Sequence, residues 1–184
     1  GLFGDQKWIG FGNFQYVFKM PNFLTVLGNS IEIAVMKILA GLVVPITLAL
    51  LLNEVRNIGV KRTVQTLVYM PHFLSWIILG GVLIDILSPS SGLVNRFLGV
   101  FNIDPIYFLG SNMWFQPTLI LTNVWKEVGF QTIIYLAAIT SVNPSLYESA
   151  IIDGANRFQR AMKITLPGMA MVIVLLTVLS LGMS

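Results

Sequence analysis

The segment PSLYESAIIDGANRFQRAMKITLPG, residues 144–168, is the part of the chain around which the rest is organised. It is polar and charged, and strongly apolar sequence precedes and follows it. Asn143 can cap a helix that starts here, and Ser145 and Glu148 stand at capping-box spacing. Gly154 accepts the backbone angles of a reversal, so it should end that helix. The segment therefore predicts a short capped helix followed by a second amphipathic piece.

The composition indicates an integral membrane protein. Hydrophobic residues make up 55% of the chain and charged residues 10%, and the mean hydropathy is +0.80, outside the range of soluble domains. The net charge of +3 does not indicate nucleic-acid binding, because the basic residues flank apolar runs, where they orient a chain in the bilayer. The absence of cysteine excludes disulfides, thiolate catalysis and cysteine-based metal sites, and a single histidine leaves little for any metal.

The apolar runs predict an all-α bundle of membrane-spanning helices in one domain over residues 1–184. The expected spans cover residues 23–52, 63–87, 114–141 and 167–184. An aromatic lead-in over residues 1–22 should lie at the membrane interface. The loop over residues 88–113 should carry a short interfacial helix over 93–100. We expect the chain to be a fragment of a longer protein, because it begins without Met and its last apolar run is short.

Basic residues predict the orientation of the spans. Three follow the first span and three lie in the 143–166 loop, namely Arg56, Lys61, Arg62, Arg157, Arg160 and Lys163. Two spans separate these groups, so both lie on one side of the membrane, and the positive-inside rule makes that side cytoplasmic. The 143–166 loop should therefore face the cytoplasm, and the 88–113 loop should face out.

Polar and aromatic side chains within the predicted spans are the candidate lining of a translocation path. They are Glu32, Lys37, Trp76, Trp125, Lys126 and Glu127. A charge at the bilayer centre costs roughly 2.5 kcal/mol or more on insertion scales, so it should face protein or water. Lys126 and Glu127 are about 100° apart on a helix, and Glu32 and Lys37 are similarly spread. We therefore do not expect an ion pair within either pair. The alternative interpretation is structural pairing between helices or snorkelling towards an interface.

The remaining polar features give no indication of catalysis. His72 lies beside Pro71 in an apolar span, and we expect its side chain to bond a carbonyl of a neighbouring helix. The glycines show no nucleotide-binding spacing, and no catalytic constellation emerges. We therefore expect no enzyme and no cofactor or metal bound by this chain. A partner would bind any nucleotide that is used.

The 143–166 loop matches a known signature: E-A-A, three residues, G, nine residues, then I-x-L-P. The sequence here is Glu148-Ser149-Ala150, then Gly154, then ITLP at residues 164–167, with Ser149 where Ala is usual. The chain thus resembles permeases of binding-protein-dependent ABC importers. Further stretches, LALLLNEVR, KRTVQTLVYMPHFLSW and WKEVGFQTIIYLAAI, resemble the carbohydrate branch, and within it permeases for complex oligosaccharides and polysaccharide fragments.

This resemblance implies a type I permease fold in the bacterial cytoplasmic membrane, with the first and last spans missing from this chain. It implies a heterodimer with a second, homologous permease, two ATPase subunits that bind ATP and magnesium, and an extracytoplasmic solute-binding lipoprotein. It also implies that a short helix in the 143–166 loop docks into a cleft of the ATPase. The implied coupling residues are Leu146, Tyr147, Glu148, Ser149, Ala150, Asp153 and Gly154.

Other functions stay open at this point. A permease for another solute, such as amino acids, peptides or phosphate, would have the same signature loop. An ion-coupled secondary transporter or channel could use the intramembrane charges, although no inverted repeat is visible and the signature would be unexplained. A membrane-embedded enzyme is disfavoured by the missing catalytic residues.

Overall fold

The computed structural model describes residues 10–183, and within that range the protein is helical without strands. The α-helices are α1 (Gly12–Phe18), α2 (Phe23–Glu54), α3 (Ile58–Tyr69), α4 (Trp76–Leu87), α5 (Leu93–Val100), α6 (Asn112–Thr140), α7 (Pro144–Ile152), α8 (Arg157–Arg160), α9 (Leu166–Gly168) and α10 (Ala170–Met183). A 3-10 turn covers Met70–Phe73 and a π-turn covers Ala161–Thr165. The predicted all-α class is confirmed. The first nine residues of the expected aromatic lead-in lie outside the described residues.

The chain divides into two compact units, Gly1–Val35 and Met36–Ser184, and the division falls inside the continuous helix α2. In the described part of the first unit, the rings of Phe18 and Phe23 meet edge to face with centroids 5.0 Å apart. The second unit holds the packed core and the sites described below. The single domain expected over residues 1–184 stays a prediction.

Helix α2 is 32 residues long, so it extends about 48 Å at 1.5 Å per residue. Among the described residues it is the one single helix long and apolar enough to cross a membrane. Two bent pairs also meet that standard if each is one span: Ile58–Phe73 with Trp76–Leu87, bent by 108°, and Arg157–Gly168 with Ala170–Gly182, bent by 61°. Helix α6 corresponds to the predicted span 114–141 within two residues at its start.

The predicted span 63–87 is divided into two helices by a break, and its crossing of the membrane stays a prediction. Asn57 caps α3 by accepting a hydrogen bond from the backbone N–H of Val60, so the helix begins earlier and contains Lys61 and Arg62, two of the three basic residues that follow the first span. The chain then passes through the 3-10 turn, and Ser75 caps α4 by accepting from the N–H of Ile78. Pro71, which lacks a donor and stiffens the turn, explains why the first helix stops here.

The core of the second unit is small and centres on α6. Tyr135, Ala138 and Ile139 from α6 pack against Ala49 of α2 and Met169, which precedes α10. Most other large apolar side chains of the described helices are exposed, as expected where lipid or other subunits cover a surface. The core therefore joins the end of α2 and the start of α10 to one long helix.

The segment between α4 and α6 is tied together by one amide. Asn95, on α5, is buried and its side chain donates to the carbonyls of Ser88 and Ile106, at 3.0 Å each. It also accepts from the N–H of Ile106 at 2.8 Å. The predicted short helix over 93–100 is confirmed, and this amide anchors it to both flanking loops.

Candidate functional site

A cavity of about 380 Å³ lies in the second unit between α2, α4, α6 and α10. Its size falls within the range of roughly 300–1,000 Å³ that small-molecule sites occupy. Its polar and aromatic lining consists of Lys37, Trp76, Asn123, Glu127, Gln131, Tyr135, Thr177 and Ser180. The cavity thus combines one cation, one carboxylate, two amides and two ring systems, a mixture suited to a polar solute with an apolar face.

One face of α6 supplies half of that lining at regular spacing. Asn123, Glu127, Gln131 and Tyr135 follow each other at intervals of four residues, so their side chains lie on the same side of the helix. Sequence reasoning selected Glu127 and missed the other three, although this spacing was a usable signal. A polar stripe on an otherwise apolar helix indicates a face turned towards water or a solute.

Beside the cavity, the side chain of Lys126 bonds the backbone at the break between α3 and α4. Its side chain is only 6% exposed, and Nζ donates to the carbonyls of His72 at 3.0 Å and Leu74 at 2.7 Å. Carbonyls at the end of a helix lack partners within the helix, and the dipole there favours a cation. Nζ also lies 5.4 Å from the ring centroid of Trp76, the first residue of α4. Lys126 therefore positions the start of α4 and with it one wall of the cavity.

Two further residues of α6 complete the contact with the break. The ring of His72 stacks on Phe130, with centroids 4.8 Å apart and planes 8° from parallel. Gly129 lets α6 approach α3 closely, because a Cβ there would lie 2.8 Å from Cα of Tyr69 and would also strike the carbonyl of Val68. The WKEVGF stretch of α6 and the YMPHF stretch of the break are thus one packed structure.

The expected contact of the His72 side chain is wrong. Its Nδ1 lies 3.2 Å from Oε2 of Glu127, a carboxylate rather than a carbonyl, in an orientation that falls short of a hydrogen bond. The carbonyl that matters here is that of His72 itself, which accepts from Lys126. Sequence analysis selected the correct residue, but the atom that bonds is the backbone oxygen of His72 and not a nitrogen of its side chain.

Five of the six candidate path residues lie in the second unit, and they do not all line one cavity. Lys37, Trp76 and Glu127 line the cavity. Lys126 is buried at the helix break, and its role in the path lining stays a prediction. Trp125 lines a separate apolar groove, and Glu32 is an exposed residue of the first unit.

The 143–166 segment folds largely as its local sequence predicts. The side chain of Asn143 caps α7 by accepting from the N–H of Ser145 at 3.0 Å, and Gly154 follows α7 with a φ of +77°. The expected capping box of Ser145 and Glu148 is wrong. The segment's box is formed instead by Asn156 and Gln159 at the start of α8.

Helix α7 presents most of its predicted coupling residues to solvent. Leu146, Glu148, Ser149, Asp153 and Gly154 are exposed, whereas Tyr147 and Ala150 are partly buried.

The α7 helix is linked to the following helices by one hydroxyl pair. Tyr147 Oη lies 2.9 Å from Oγ1 of Thr165, which is buried in the π-turn. Arg157 of α8 forms a second, exposed link to Glu54 at the end of α2, at 3.6 Å. A π-turn inside a helix is often found at functional sites. The segment is therefore an exposed helix with defined connections to the spans on both sides.

The family described as "Binding-protein-dependent transport system inner membrane component" matches residues 41–184. The chain belongs to this family. As a member of it, the protein is a membrane transport component and not an enzyme, as predicted. The match covers the cavity lining except Lys37 and Ile38, and it covers the helix break and the whole 143–166 segment.

Two relatives support the resemblance to carbohydrate permeases. The chain is 43% identical over 182 residues to the polygalacturonan/rhamnogalacturonan transport system permease protein YteP of Bacillus subtilis (strain 168), covering 99% of the chain and 56% of the relative. It is 31% identical over 177 residues to the diacetylchitobiose uptake system permease protein NgcF of Streptomyces coelicolor (strain ATCC BAA-471 / A3(2) / M145), covering 91% and 50%. The chain thus spans about half the length of these curated relatives.

A solved structure agrees with the fold. The crystal structure of a bacterial ABC transporter involved in the import of the acidic polysaccharide alginate matches with a TM-score of 0.92 and 46% identity. This match covers 97% of the chain and 62% of the matched chain. The expected permease fold is confirmed.

Proposed function

We propose that the chain is part of a permease subunit of an ATP-driven importer for a sugar or oligosaccharide. It forms half of the translocation path, with the cavity at Lys37, Trp76 and Glu127 on that path. The observation that carries this proposal is family membership combined with relatives named for saccharide transport at up to 46% identity. A cavity lined by amides, a carboxylate and aromatic rings supports it, because such groups can bond hydroxyls and cover a ring face.

The 143–166 segment transmits movement from the ATPase in this proposal. Helix α7 docks into a cleft of the ATPase through its exposed side chains. Leu146, Glu148 and Ser149 provide contact, and Asp153 and Gly154 shape the turn that follows. Closure of the ATPase dimer then displaces α7, and the Tyr147–Thr165 contact carries the displacement into α10 as a rigid-body movement.

The proposed assembly contains a second, homologous permease subunit, two ATPase subunits and an extracytoplasmic solute-binding lipoprotein, in a bacterial cytoplasmic membrane. ATP and magnesium bind to the ATPase subunits. The crystal structure of a similar bacterial alginate ABC transporter is in complex with an alginate pentasaccharide-bound periplasmic protein, which supports the solute-binding partner. A non-sugar solute is the second candidate, because an sn-glycerol-3-phosphate permease is 28% identical over 177 residues.

Uptake into vesicles tests this function. The full-length permease is reconstituted with its ATPase, second permease and binding protein, and labelled oligosaccharides are supplied as a panel. We expect uptake only with ATP inside, with the ATPase present and with the binding protein outside. Uptake driven by an ion gradient without the ATPase would overturn the proposal, and uptake of glycerol phosphate alone would favour the second candidate.

A further inference from the structure

Lys37 is a charged residue in the middle of a long apolar helix. It is half-buried on the wall of the cavity, and among the described residues it has no ion pair and no hydrogen bond. An ammonium group within a membrane normally faces water or an opposite charge. The cavity therefore contains a cation whose counter-charge this part of the chain does not supply.

Glu127 does not fill that role, although it lines the same cavity. Its carboxylate approaches Nδ1 of His72 at 3.2 Å, and no contact within ion-pair distance joins it to Lys37. The cation and the carboxylate stand on different helices, α2 and α6. Each of the two charges is thus available to a different group of one bound molecule.

Gln131 is a second residue of the cavity whose polar group lacks a partner among the described residues. Its Oε1 is buried and has no hydrogen-bond partner among the described residues. A buried acceptor without a donor is destabilising, so such atoms normally mark a place where water or a ligand donates. The amide lies one helical turn from Glu127 on the same face of α6. These two acceptors suit the hydroxyl donors of a sugar ring.

We propose that this cavity binds a sugar that carries a carboxylate, of the uronic acid class. Lys37 bonds the carboxylate of the sugar. Gln131 and Glu127 accept hydrogen bonds from its hydroxyls, and the half-exposed ring of Trp76 covers one face. This inference rests on the proposed function and narrows its substrate class.

A carboxylate fits the site better than a phosphate ester. One ammonium group balances the single charge of a uronate. Phosphate groups carry more charge and usually attract arginine or several donors together. Glu127 in the same cavity repels any anion, and it repels a doubly charged phosphate ester more strongly than a singly charged uronate. The binding test below therefore compares a uronate with a phosphate ester.

Binding measurements on the assembled transporter, without its solute-binding protein, test the proposal. The probes are trigalacturonate, its carboxyl-reduced trisaccharide, and glycerol 3-phosphate. We expect the wild-type transporter to bind trigalacturonate more tightly than the reduced sugar, and added salt to weaken only the former. A charge-assisted bond of about 1.5–3 kcal/mol corresponds to a roughly 10- to 150-fold loss of trigalacturonate affinity in Lys37→Gln.

The matched variants decide the interpretation. Lys37→Gln should change affinity for the reduced trisaccharide by less than about threefold, and Lys37→Arg should retain trigalacturonate binding. Equal losses for both sugars, unfolding of the Lys37→Gln variant, or preference for glycerol 3-phosphate would each overturn the proposal. If ATP-dependent uptake persists in those cases, only the substrate class is wrong. If uptake requires no ATPase, the proposed function itself is wrong.

Discussion

The hydroxyl of Tyr147 lies 2.9 Å from Oγ1 of Thr165, and this contact joins α7 to the π-turn that leads into α10. Both residues lie in the signature segment, 18 positions apart. Thr165 is buried, and four residues later Met169 enters the core. A force applied to α7 therefore has a direct route into the packed helices.

Tyr147→Phe should uncouple the transporter without preventing its insertion. Loss of this hydrogen bond should lower stability by about 0.5–1.5 kcal/mol, measured by thermal unfolding in detergent. ATP-driven uptake should fall more than ATP hydrolysis does. Thr165→Val should give the same effect, and the double variant should be no worse than either single one. Tyr107→Phe, at an exposed tyrosine, is the control. Fully additive losses would contradict a shared contact.

Lys126→Met should destabilise the break between α3 and α4. The carbonyls of His72 and Leu74 would lose a charged donor in a buried position. The expected loss is about 1.5–3 kcal/mol, with Lys126→Arg milder because it keeps the charge and the donors. Lys37→Met is the matched control, since that lysine has no such bonds among the described residues. Equal unfolding temperatures for the two Met variants would refute the role of Lys126.

Gly129→Ala should be destabilising although alanine favours helices. The added methyl group would strike the backbone of α3, and overpacking of this kind costs about 1–3 kcal/mol. Gly81→Ala, on the exposed side of α4, meets no atom within 4 Å and should be neutral or slightly stabilising. Thermal unfolding of the two variants side by side checks this. A tolerated Gly129→Ala would show that α6 and α3 are not in close contact.

Substitutions of Gly154 distinguish the effect of its backbone conformation from the effect of steric contacts with a side chain. Its φ of +77° disfavours a side chain, whereas no atom of the described chain lies within 4 Å of an added Cβ. Gly154→Ala should cost about 1–2 kcal/mol, and Gly154→Asn should cost less, because Asn adopts this conformation more readily. Gly154→Pro should abolish uptake and uncouple ATP hydrolysis while the protein still inserts. Normal substrate-stimulated hydrolysis in that variant would rule out a coupling role for the turn. If Asn is stable but inactive, a partner approaches Gly154 closely.

Asn95→Ala should loosen the outer segment between α4 and α6. Three carbonyls accept from its side chain and one N–H donates to it, so the change leaves several buried groups without partners. Hydrogen exchange of the Ile106 amide should rise markedly. Asn112→Ala, at the exposed start of α6, should leave that exchange rate unchanged. Unaltered protection of Ile106 in Asn95→Ala would contradict the anchor.

Local signals were sufficient for much of the fold and for the 143–166 segment. The cap at Asn143, the turn at Gly154 and the helix over 93–100 all depend on a few neighbouring residues, so they are readable from sequence. The capping box was misassigned because Asn143, and not Ser145, caps α7, and the box of Asn156 and Gln159 lies at the start of α8.

The helix break and the cavity depend on long-range packing and were less accessible. Lys126 and Leu74 are 52 residues apart, and no local pattern identifies a carbonyl as the partner of a lysine. Pro71 is a residue type that ends or kinks helices, but the 108° turn depends on what α6 places against it. Of the cavity lining, Lys37, Trp76 and Glu127 were selected for chemistry alone, whereas Gln131 is recognisable only from its position on α6.

The hydrogen bonds from Lys126 to the helix break can form only late in synthesis. The carbonyls of His72 and Leu74 leave the ribosome more than fifty residues before the ammonium group that satisfies them. Hydrocarbon offers no substitute donor, so the break has to stay in contact with water or the insertion machinery until α6 arrives. The break between α3 and α4 therefore lacks its buried hydrogen-bond donor until the ribosome has synthesised residue 126.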